Sequence, residues 1–144
     1  FKRLVPHPLS MYLGDVSAED QEDFKCNWLS WSKENWGTKW DAYAGSTGYS
    51  FDSRVAFIKF DTAWSIPYPI IAAFANRFQI AFEHRYFDEG GNFWGIEKWG
   101  RPAHNKEVTA RIEKRKNHLD DARPLCIELK GYDPEERKEE GNEP

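Results

Sequence analysis

A chain of 144 residues is close to the modal length of one domain, long enough to bury a core without disulfides or a structural metal. Its net charge of −4, from 20 basic and 24 acidic residues, argues against any general attraction to nucleic acid or to an anionic bilayer. The two cysteines, Cys26 and Cys126, form no C-x-x-C pair, which excludes a zinc ribbon or redox dithiol and points to buried thiols in a reducing, cytoplasmic compartment.

No apolar run approaches the roughly 18 residues of a spanning helix, and the opening FKRLVPHPLS lacks the apolar centre of a signal peptide. Aromatic usage is heavy, with 7 Trp, 10 Phe and 6 Tyr, so rings must supply much of the core volume and leave some over for a surface.

In chain order, Leu4 and Val5 closed by Pro6 and Pro8 read as an extended segment ending in a turn. Ser17 before Ala-Glu-Asp is an N-cap signature, and Phe24, Trp28 and Trp31 recur at helical spacing, which predicts a helix over about 17–34. The cluster AGSTGYS at 44–50 marks a loop between two extended segments. In 54–64, Ala56, Ile58 and Phe60 alternate with Lys59 and Asp61, predicting a strand with one buried face.

The prolines of Ser65-Ile-Pro-Tyr-Pro suit only the start of a helix, and Ile70, Ile71, Phe74 and Phe78 continue it as a stripe, giving a helix over about 67–77. Residues 79–88 alternate again, with Ile80, Phe82, His84 and Tyr86 on one face and Glu83 and Arg85 on the other. Glu89-Gly90-Gly91-Asn92 is a hairpin turn into an aromatic strand from Phe93 to Trp99. Beyond Pro102 the composition turns polar. Asn105 caps an expected basic helix through about Asn117, Leu125 to Leu129 reads as a short strand or a helical turn with the strand favoured, and the tail from Asp133 as disorder.

Strand, helix, strand, tight turn and strand make part of a split β-α-β pattern, so the expected fold is α+β: a ferredoxin-like sandwich, an antiparallel sheet with helices on one face. The expected organisation is a ferredoxin-like domain over 1–100, a helical extension over 101–132 and a disordered tail over 133–144.

Three blocks, NWGTKWDAY (35–43), FDTAWSIPYPII (60–71) and RYFDEGGNFWG (85–95), resemble the signature blocks of the YubB-type ferredoxin-like domain of plasmid, phage and other mobile-element proteins of bacteria. LVPHP at 4–8 resembles the short block that stands before them. The resemblance implies a fold and a genomic setting, and it supplies no catalytic residues. It also implies a first strand and helix ahead of Phe1, and Ile66 departs from the family pattern, where a second proline is usual.

The first block raises the functional question. Trp36 and Trp40 either cover one end of the sheet, with Gly37 permitting a backbone conformation closed to other residues, or wall a pocket in which Lys39 presents a cation and Asp41 and Asp61 offer acceptors. The open face of the sheet is expected to carry Lys59, Asp61, Glu83, Arg85 and Glu97, a ladder of opposite charges. His84 reads as a core or edge histidine; His7, His104 and His118 are scattered, and no metal spacing is present.

The expected site lies where 36–43, Asp61 to Trp64 and Asp88 to Trp94 converge. Its candidate residues are Trp36, Lys39, Trp40, Asp41 and Tyr43 from the first block, Asp61 and Trp64 from the second, and Glu89 and Trp94 from the third. The reading is a binding domain with no cofactor or metal and a protein partner, on the genomic setting a host or defence component. The alternative is an enzyme on a small or nucleotide-like substrate with Asp41, Asp61 and Glu83 as acid/base groups. A third reading is a single-stranded nucleic-acid binder using the basic stretch 106–118.

Overall fold

The structure, a computed structural model, describes residues 1–15, 17, 26–51, 55–100, 110–115 and 119–136. It divides into two compact units, Phe1–Arg77 and Phe78–Pro144.

The first unit opens with a turn, not an extended segment: the N–H groups of Leu4 and Val5 both donate to Phe1 O, at 2.8 and 3.0 Å. Helix α1 spans Trp28–Asn35. Its N-cap is Asn27, fully buried, whose Oδ1 accepts the N–H of Ser30 at 2.9 Å and so satisfies one of the free donors of the first turn. Most of the helix expected upstream, at 18–25, lies outside the described residues. Cys26 is exposed, contrary to the expectation of two buried thiols, while Cys126 is buried.

The chain leaves α1 through Gly37 at φ 77°, the left-handed position that ends many helices. A Cβ there would stand 2.9 Å from Pro69 Cδ and 3.0 Å from Ile66 O, so glycine is required twice over, by conformation and by space. Trp36 is 1% exposed. Its Nε1 donates to Val5 O at 2.8 Å, its ring stacks on His7 at 4.3 Å, and Trp31 meets it edge-on at 5.5 Å. This indole is the hub that ties the LVPHP segment to α1.

After a 3-10 turn at Ala44–Ser46, strands β1 (Gly48–Phe51) and β2 (Ala56–Lys59) form an antiparallel hairpin. The predicted alternation of β2 is present as a strand, but its expected buried face is not: every residue of both strands is exposed. The two strands pair with each other in a sheet of two, which leaves both faces open. Helix α2 spans Tyr68–Phe78, as the proline-led start predicts, with Pro67 O accepting the N–H groups of Ile70 and Ile71, both at 3.0 Å, and Ile70, Ile71 and Ala75 buried.

The second unit is a three-stranded antiparallel sheet, β3 (Phe82–Phe87), β4 (Trp94–Trp99) and β5 (Ala110–Arg115), in that order, with helix α3 over Leu119–Lys130. The turn between β3 and β4 is held by Asp88, whose Oδ2 accepts from Asn92 N at 3.1 Å and Asn92 Nδ2 at 2.7 Å. Trp94 packs with Ala122, Leu125, Phe87 and Leu129, so α3 covers the face that also carries Arg85, paired with Glu128.

Two expectations fail here. The basic helix expected from Asn105 is, over 110–115, the strand β5, whose backbone pairs antiparallel with β4: tertiary pairing overrides the local helix propensity. Of the two readings of 125–129 the favoured strand fails and the helical one holds: the segment lies inside α3, despite Pro124 in that helix. Burying Leu125 and Leu129 against Trp94 outweighs the hydrogen bond the proline forgoes. Residues 137–144 of the expected disordered tail lie outside the described residues.

Candidate functional site

Trp40, Tyr43, Trp64 and Lys39 come together in the first unit. The hairpin places them: the first block leads through the 3-10 turn at Ala44–Ser46 into β1, β2 leads into Asp61, and the N–H of Tyr43 donates to Asp61 O at 3.1 Å. The ring of Trp40 lies 6.0 Å from Tyr43 and 5.6 Å from Trp64. The Lys39 ammonium sits over both indoles, 4.7 Å from Trp40 and 5.4 Å from Trp64, within the range of cation–π attraction. Trp64 is 71% exposed and Tyr43 43%.

Trp64 is held outward by its own turn. Its φ is 53°, a conformation that bulky residues rarely adopt. Thr62 Oγ1 donates to Ser65 O at 2.9 Å, and Ser65 Oγ donates to Gly37 O at 2.5 Å. The second block is thereby stapled to the first, and the indole between Thr62 and Ser65 turns to solvent.

Beside it lies an open cleft of about 370 Å³ lined by Leu29, Lys33, Lys39, Ala63, Trp64 and Ser65. Those six residues include two cations and no carboxylate. The indole N–H of Trp40 is enclosed and has no acceptor among the described residues.

Trp36 is in the core. Asp41 Oδ1 accepts from Ala42 N at 2.8 Å and from the Phe1 amine at 2.9 Å; burial opposes its ionisation, but these hydrogen bonds outweigh it and hold the carboxyl below its ordinary range. Asp61 is half-buried. Glu83, Glu89 and Trp94 belong to the second unit: Glu83 accepts from Arg85 Nε at 2.5 Å, Glu89 is exposed in the β3–β4 turn, and Trp94 is 5% exposed in the core under α3.

The sequence reading missed Glu97. Expected on an open charged face, it is fully buried. It stands opposite His84 in the β3–β4 register, with Oε2 3.2 Å from His84 Nδ1 and accepting Trp99 Nε1 at 3.3 Å. Burial pulls the His84 pKa below the ordinary value, against the opposing pull of Glu97. Among the described residues no group of three or more His, Cys, Asp or Glu is placed to hold a metal, and no helix is long and apolar enough to cross a membrane.

Residues 35–124 match the family described as the ferredoxin-like domain in Api92-like protein, and the chain belongs to that family. Its α+β architecture, three helices and two small antiparallel sheets among the described residues, agrees with this. The match supports ferredoxin-like membership without the YubB-type name. No curated protein and no solved structure matches the chain.

Proposed function

We propose that the protein is a non-enzymatic binding domain that docks a partner protein on the aromatic site around Trp40 and Trp64. The observation that carries this reading is the exposed indole of Trp64, fixed outward at φ 53° beside Trp40 and Lys39. An exposed ring held in a costly conformation is a feature that packing alone does not call for.

The hairpin extends the same surface. On one face of it, Tyr49, Phe51 and Ile58 are 77%, 76% and 61% exposed, and the Tyr43 to Asp61 hydrogen bond joins the base of the hairpin to the Trp40 and Trp64 cluster. An apolar surface that continues past a small cleft suits a macromolecule better than a small molecule. The resemblance to YubB-type proteins supplies the setting: a bacterial plasmid or phage accessory protein, acting in the cytoplasm.

The test is selection of random peptides displayed on phage against the parent and against Trp64→Asn, since asparagine tolerates positive φ and removes the ring. The reading expects clones that bind the parent and not the variant. A selection in which every clone binds both equally would overturn it.

A further inference from the structure

We infer that the cleft beside Trp64 takes an acidic segment of the partner, one that sets an apolar side chain on the indole and a carboxylate between Lys33 and Lys39. The inference rests on the protein-binding reading and specifies its ligand chemistry.

The protein is acidic overall, at −4, yet the cleft presents two ammonium groups and no carboxylate among its lining residues. Lys33 comes from the last turn of α1 and Lys39 from the loop after Gly37. The nearby carboxyl of Asp41 accepts hydrogen bonds from Phe1 and Ala42, and it does not line the cleft. A site so placed attracts anionic groups and rejects cationic ones, which gives specificity as well as affinity.

Leu29, Ala63 and the Trp64 ring offer a surface that an inorganic anion would leave uncovered, whereas a side chain next to an Asp or Glu would bury it. The Lys39 ammonium already lies over the Trp40 and Trp64 rings, so an arriving carboxylate meets a cation held in place by two indoles. The enclosed N–H of Trp40, with no acceptor among the described residues, adds an unsatisfied donor to the same cluster.

The experiment uses two arrays of immobilised octapeptides, one built from Leu, Phe, Asp and Glu, the other with Asn and Gln in place of the acids. Labelled parent protein is applied to both, with and without competing inorganic phosphate. The expected result is retention on the acidic array about tenfold above the amide array. Lys33→Gln or Lys39→Gln each lowers that ratio severalfold, the scale of one charge-assisted hydrogen bond, Trp64→Asn abolishes retention on both arrays, and phosphate competes weakly. Equal, Trp64-dependent retention on the two arrays would overturn the acidic preference and leave the protein-binding reading standing. An unchanged ratio in both lysine variants, or full displacement by phosphate, would also overturn it. Retention that ignores Trp64 on both arrays would overturn both readings.

Discussion

His84 Nδ1 and Glu97 Oε2 stand 3.2 Å apart across the β3–β4 pair, with the carboxylate fully buried. The unfolded chain binds the histidine proton near 6.5, and the folded imidazole only at lower pH, because burial disfavours the charged ring. Between those values the unfolded state holds more protons. This contribution to stability is therefore complete above about pH 6.5 and is lost as pH falls toward the folded pKa, at no more than about 1.4 kcal/mol per pH unit. Denaturant unfolding from pH 7.5 to pH 5, of the parent and of His84→Gln, checks this: the parent should lose stability more steeply, and parallel curves would contradict it.

Gly37→Ala should destabilise by about 1–3 kcal/mol, since it places a Cβ at positive φ and 2.9 Å from Pro69. The prediction is checked by the urea midpoint at constant m-value. Because Ser65 Oγ donates to Gly37 O, the same change should also disturb Trp64 and shift the emission spectrum.

Trp64→Gly should leave stability unchanged or raise it by up to about 1 kcal/mol, because glycine adopts φ 53° without strain and little packing is lost from a ring 71% exposed. Peptide binding should disappear in the same variant. Thermal melts read beside binding would separate this result from a core role, which predicts a large loss of stability.

Leu125→Ala should cost about 2–5 kcal/mol by opening a cavity beside Trp94 and Ala122. Pro124→Ala should stabilise α3 by about 1–3 kcal/mol, since alanine restores a backbone donor within a helix that already runs through the site. Calorimetry of both variants checks the pair of opposite signs.

Where the pattern and the local signals agreed, the sequence was legible. Proline at the start of α2, the Asp88 to Asn92 turn and the alternation of β3 appear in the structure close to where the residues put them. Glu97 was not legible, because its face depends on the β3–β4 register, and a loop from Asp88 to Phe93 allows more than one. The pairing of Phe87 with Trp94 puts Lys98, not Glu97, opposite Glu83. Pro124 and the polar flanks of α3 hid a helix whose stabilisation is tertiary, through Leu125 and Trp94. At the candidate site, the residue types of WGTKWDAY left a core and a surface reading open for both tryptophans. The structure separates them, with Trp36 hydrogen-bonded to Val5 in the core and Trp40 beside exposed Trp64.

Charged quenchers test the central claim most directly, that Trp64 is an open indole in a cationic cleft. Iodide and caesium quenching of tryptophan emission would be compared on the parent and on Trp64→Asn. Iodide, concentrated by Lys33 and Lys39, should quench more strongly than caesium, and the variant should lose that excess. Equal quenching by the two ions, or an iodide effect that survives the loss of Trp64, would contradict it.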